Sequence, residues 1–178
     1  MSTFEPILSG FPGLDSVLDY IRLGDNVVLQ VSSIEEYLFF VKPYCRQAVL
    51  DGRNIIYMHF TGHSVLLDGT AGVRTYEFDP SEGFETFTMN VRSRITAEGR
   101  DAFYVFDCLS DLQVAWATDL MMGNFFQVTC PYLFELNTVA YFPVLRGRHS
   151  FDAIARIRET TQLCWIFTWM GNSCILTR

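Results

Sequence analysis

The sequence is poor in lysine. Lys42 is the sole lysine among 13 basic residues, against 20 acidic ones, and the formal net charge is −7. A nucleic-acid surface needs a basic stripe to neutralise phosphates. Here the arginines are scattered, with no grouping larger than a pair such as Arg146 and Arg148. A nucleic-acid partner is therefore not expected, and neither is an anionic membrane surface. There is no C-x-x-C pair. The 5 cysteines (Cys45, Cys108, Cys130, Cys164, Cys174) lie in apolar surroundings, the pattern of buried thiols in a reducing compartment. No apolar run approaches the roughly 18 residues of a membrane span, and residues 1–10 lack a basic start followed by an apolar stretch. These absences together predict a cytoplasmic protein.

Apolar and aromatic side chains are plentiful. Of 178 residues, 49% are hydrophobic and 15% aromatic, with 16 Phe. Such a chain can bury a sizeable core, so disorder is not expected. No linker, repeat or low-complexity stretch interrupts it, and residues 1–178 read as one domain. The apolar surplus has two readings, an aromatic-rich core or a surface covered by a partner.

Segments of two periods alternate along the chain. Residues 26–31, 54–60, 74–78, 102–106, 131–136 and 139–144 read as strands, the first four bounded by turn residues or caps. Leu14, Val17, Leu18 and Ile21 suggest a first helix. Ile34, Leu38, Val41, Cys45 and Ala48 mark a second, with Pro43 inside it. Phe84, Phe87, Val91 and Ile95 mark a third; Leu112, Ala115, Trp116 and Leu120 a fourth; Phe151, Ile154, Ala155 and Arg158 a last one after Ser150. Residues 163–169 and 173–176 predict an antiparallel hairpin around Gly171-Asn172. Alternation of this kind predicts an α/β fold: a mainly parallel sheet with helices on both faces, closed by a C-terminal hairpin.

Three stretches carry a family resemblance. Leu8-Ser9-Gly10-Phe11-Pro12-Gly13-Leu14-Asp15-Ser16-Val17-Leu18 resembles the opening motif of KaiC-like proteins in the RecA superfamily. Gly24-Asp25-Asn26-Val27-Val28-Leu29 is similar to that family's turn into its first core strand, and Phe103-Tyr104-Val105-Phe106-Asp107, with Ser110 close behind, to its second nucleotide motif. The resemblance implies a RecA-like three-layer sandwich. A narrower likeness covers residues 24–37 and 148–162, which resemble the N-terminal domain of proteins related to phosphoenolpyruvate synthase and pyruvate phosphate dikinase. The dikinase-type catalytic domains of that group have no counterpart within residues 1–178, so the likeness implies no dikinase chemistry for this chain.

The family's phosphate loop is missing. Such a loop uses glycines so that backbone N–H groups can wrap the phosphates, a lysine to reach the terminal ones, and a hydroxyl for magnesium. The matching segment reads Ser32-Ser33-Ile34-Glu35-Glu36-Tyr37, without glycine or lysine, and Lys42 lies more than two helical turns further on. Ser33 with Glu36, or Ser32 with Glu35, fits a capping box, and carboxylates in the first turn oppose an incoming phosphate. The run 57–63 also lacks the glutamate that KaiC-like ATPases place after the second strand. ATP with magnesium is thus disfavoured, and no cofactor is expected.

Ser32, Ser33 and Asp107 remain the candidates for contact with a nucleotide. His59 and His63 stand at a strand end, where open α/β sheets take ligands, and are candidates for a pocket lining. Zinc would need a third ligand, and the nearest carboxylate in sequence is Asp68, so no metal site and no catalytic residue is assigned. His149, between an arginine and a helix start, could contact an anion. No Ser/His/Asp set announces itself. The expected function is a non-hydrolysing RecA/KaiC-like module, regulatory or scaffolding, forming a homo-oligomer or binding a protein partner, possibly linked to phosphoenolpyruvate or pyruvate metabolism. The alternative is a sensor or enzyme binding a nucleotide or small anion at the strand ends.

Overall fold

A computed structural model describes residues 6–18, 20–116, 118–170 and 173–177. Six strands, β1 (Asn26–Val31), β2 (Ile55–Phe60), β3 (Val73–Phe78), β4 (Phe103–Phe106), β5 (Val139–Leu145) and β6 (Leu163–Met170), pair in parallel. A seventh, β7 (Ser173–Thr177), runs antiparallel to β6, from Ile166 opposite Thr177 to Met170 opposite Ser173. The expected turn at Gly171-Asn172 lies outside the described residues. The order across the sheet is β3-β2-β4-β5-β1-β6-β7.

Successive side chains of a strand point to opposite faces, and the core divides accordingly. Val27, Leu29, Val31, Ile55, Tyr57, Phe103, Val105, Val139 and Tyr141 pack with Tyr37, Val41, Tyr44 and Ala48 of α2 (Ile34–Leu50). Val28, Ile56, Met58, Phe60, Tyr104, Phe106, Ala140 and Phe142 pack on the other face, against α3 (Phe84–Glu98), α5 (Asp119–Glu135) and α6 (Phe151–Thr160). The result is a three-layer α/β/α sandwich. Phe60, Phe87, Phe103, Phe106, Phe125, Phe126 and Phe142 are all buried, each contributing on the order of 2 kcal/mol by burial. Much of the aromatic surplus is therefore core.

Two short helices complete the set, α1 (Pro12–Leu18) and α4 (Gln113–Trp116), the latter preceded by a 3-10 turn at Leu109–Leu112. Ile21, expected on the first helix, instead bridges Ile7 in antiparallel fashion. The segment 131–136, expected as a strand, is the end of α5, which runs through Pro131. This helix buries Met122, Phe125, Phe126, Thr129, Cys130 and Leu133. A helix apolar on most of its circumference has no period that separates it from a strand. The 17-residue α2 likewise passes through Pro43. Gly10, with φ +78, lies so close that an added Cβ would stand 2.4 Å from the Pro43 carbonyl oxygen, which explains the glycine in this opening segment.

The connections set the position of the site. After β2 the chain turns to the α2 face, where Leu66 and Leu67 pack. After β4 it turns to the opposite face, where Leu109, Leu112 and Trp116 pack. β1 and its neighbour β5 diverge likewise, β1 leading into α2 and β5 into α6. Crevices at the carboxyl ends of strands, where connections diverge, are the usual ligand positions of open α/β sheets.

Candidate functional site

Asp107 is the centre of a buried polar network. Phe103 and Val105 face α2, and the same alternation brings Asp107, one residue beyond β4, to that side. Tyr57 and His59 face it from β2. The Tyr57 hydroxyl donates to Asp107 Oδ1, the Phe60 N–H donates to Oδ2 at 2.7 Å, and His59 Nδ1 stands 2.8 Å from Oδ2. His63 Nδ1 is 3.6 Å from the same oxygen. Asp107 is fully buried, and these donors compensate a group that would otherwise be costly to desolvate. Burial, then the hydrogen bond to Asp107, pushes the Tyr57 phenol far above its ordinary value, so it acts as a donor. The Asp107 carboxylate, 3.6 Å from Nδ1, raises the His63 pKa; burial opposes this, and the charge of Asp111 adds to it.

Above this network lies a cleft of about 820 Å³. Glu35, Leu38 and Lys42 of α2 form one wall, at helical spacing; His63 and Leu66 also line the cleft, with Asp107 and the exposed Asp111. Lys42, too distant for a phosphate loop, thus reaches the cleft from the third turn of α2. Cys108 also borders the cleft, but burial pushes its thiol up to about 11, which makes it a poor nucleophile.

The turn between β1 and α2 is occupied by the protein's own side chains. Glu36 Oε2 accepts the Ser32 N–H at 2.6 Å. The Ser32 hydroxyl accepts from Arg146, whose other terminal nitrogen donates to Thr168 Oγ1 at 3.0 Å. Ser33 is the N-cap residue of α2, yet its side chain accepts no capping hydrogen bond. It bonds Glu35 instead and holds that carboxyl below its ordinary range. Neither expected capping box forms: Glu36 accepts from the residue before the N-cap instead. Neither Ser32 nor Ser33 borders the cleft.

No protein-family model matches the chain, and no curated protein matches it.

The chemistry of the site accordingly rests on its geometry. The structure brings together Asp107, His59 and His63, while Ser32 and Ser33 lie in the turn between β1 and α2, outside the cleft. Asp68 is exposed and outside the network. Both histidines direct Nδ1 to one oxygen that already accepts a backbone N–H, so they do not converge on a metal, and among the described residues no group of three or more His, Cys, Asp and Glu could hold one.

One cluster was not expected. His149 Nδ1 stands 2.6 Å from Asp119 Oδ1, and His149 Nε2 stands 2.7 Å from Ser110 Oγ. This is the connectivity of a hydrolytic triad, but its setting is closed. Ser110 is 2% exposed, the His149 side chain is fully buried, and the Ser110 oxygen accepts the Leu145 N–H at 2.8 Å. Ser150 donates to Asp119 Oδ2 through its N–H at 2.7 Å and its hydroxyl at 2.5 Å, and its Oγ caps α6 by accepting the Ala153 N–H. Burial disfavours the charge of Asp119, but the bonds from Ser150 and His149 outweigh it and hold the carboxyl low. The cluster ties the start of α5, the end of β5 and the start of α6 to the turn after β4. His149 is spent inside the protein rather than presented to an anion.

Proposed function

We propose that this chain is a RecA/KaiC-like module that does not turn over ATP and acts as a regulatory or scaffold domain. The observation that carries the reading is the Glu36 carboxylate on the Ser32 N–H at 2.6 Å. It puts a negative charge and a spent donor where a triphosphate would need free N–H groups. Arg146, which contacts that turn, is engaged by Ser32 and Thr168. The α/β/α layering agrees with the resemblance of residues 8–18, 24–29 and 103–107. Assembly with itself or with a protein partner, and a link to phosphoenolpyruvate or pyruvate metabolism, come from that resemblance.

The test is thermal unfolding with and without millimolar ATP and magnesium, beside a phosphate-release assay. The reading expects no shift and no release; phosphate release that Asp107→Ala abolishes would overturn it. Oligomeric state is checked by light scattering, and a monomer that captures no partner would remove the scaffold role. A second reading, a small-ligand sensor, is favoured by the cleft above β2 and β4, whose volume suits a metabolite.

A further inference from the structure

The cleft is lined by charges of both signs, which restricts its ligands. Lys42 lies on the α2 wall, and among the described residues it makes no ion pair. His63 also lines the cleft, and the Asp107 carboxylate 3.6 Å from its Nδ1 favours its protonated form. Glu35 stands two helical turns nearer the start of α2, and the exposed Asp111 also borders the cleft. Asp107 itself is spent on Tyr57, His59 and the Phe60 N–H. Ile34, Leu38, Val65 and Leu66 supply apolar surface between the charges.

A polyanion entering here would gain Lys42 and His63 but meet Glu35 and Asp111. A simple cation would gain the carboxylates and meet Lys42 and His63. A compact molecule with one charge of each sign satisfies both sets, and its body can rest on the leucines and valine. Charge matching of this kind selects against wrong ligands by leaving their charges opposed or unpaired.

We propose that the cleft between α2 and residues 62–66 is a binding site for a small zwitterion of the amino-acid type, its carboxylate on Lys42 and His63 and its ammonium on Glu35 and Asp111. The proposal rests on the sensor reading. Because Asp107 is a structural hub rather than a direct ligand, recognition is carried by side chains that can be changed without disturbing the core.

Isothermal titration and thermal shift at pH 6.5 with a panel of free L-amino acids test this. The N-acetylated forms serve as matched anions and the amides as matched cations. At least one free amino acid should bind, its N-acetyl and amide forms at least tenfold more weakly. Lys42→Gln and Asp111→Asn, both at exposed positions, should each weaken it tenfold or more, with the unliganded melting temperature unchanged. An equal response to the N-acetyl form, an equal response to the amide, or no response to any compound would each overturn the proposal. ATP with magnesium forms a separate arm. A response there, with phosphate release, sinks the non-hydrolysing reading; silence in both arms sinks only the zwitterion site.

Discussion

His149 Nε2 and Ser110 Oγ lie 2.7 Å apart, although 39 residues separate them in sequence. The pair has the spacing of a base and its nucleophile, and burial decides against that role. Ser110→Ala should leave any reactivity toward activated esters at the level of the buffer. It should lower stability by about 1–3 kcal/mol, because the Leu145 N–H and the His149 ring each lose a buried partner. Urea unfolding beside an ester-hydrolysis assay checks both halves; a burst of product with the parent protein that the alanine variant lacks would reverse the assignment.

Asp107→Ala should be the more damaging change. It strands the Tyr57 hydroxyl, the Phe60 N–H and His59 Nδ1 in the interior, and removing one partner of a buried charged cluster costs about 3–5 kcal/mol. Denaturant titration gives the value. A loss below about 1 kcal/mol would show that water enters and replaces the carboxylate.

His63 makes stability depend on pH in a stated direction. Its pKa is raised in the folded protein, chiefly by the Asp107 carboxylate 3.6 Å from its Nδ1. The contribution is complete below the unfolded value of about 6.5 and is lost as pH rises through the folded value. The groups around it are Asp107, Asp111 and His59 on the sheet side and Glu35 and Lys42 on α2. The melting temperature of the parent protein, measured relative to that of His63→Gln, should therefore fall between pH 6.5 and mildly alkaline pH. A difference that stays flat or rises would contradict the Asp107–His63 pairing.

Gly10→Ala tests the N-terminal segment. The new Cβ would meet the Pro43 carbonyl oxygen at 2.4 Å, at a φ of +78 that L side chains avoid. A backbone clash with left-handed strain should cost more than about 1 kcal/mol. Gly62→Ala is the control, since it shares a positive φ but meets nothing within 4 Å, and it should cost less.

How much of this was legible beforehand differs by element. Strands such as 26–31 and 103–106 are apolar on both faces, so they stand out as runs bounded by polar residues, and α3 shows its period through Phe87, Val91 and Ile95. α5 was hidden because it is apolar almost all round and contains Pro131, a residue that ordinarily argues against a helix interior. In the site, Asp107, His59 and His63 were visible as polar residues closing apolar strands. Tyr57 was not, because its ring belongs to the core and only its hydroxyl reaches Asp107. Ser110, Asp119 and His149 obey no spacing rule, since three separate connections bring them together. The capping box failed at Ser33 because two serines and two glutamates offered alternative frames, and Ser32 went to Arg146, 114 residues away.

The outer strand β3 has a further consequence. Its exposed positions are Arg74, Thr75 and Glu77, and Arg74 is tied to Glu98 and Asn54. Charged side chains on a sheet margin discourage a second chain from pairing there. Copies of this protein that met at β3 would have to desolvate those charges to continue one another's sheet. Growth of the sheet from chain to chain is thereby opposed at the β3 margin, one of the two edges of the sheet.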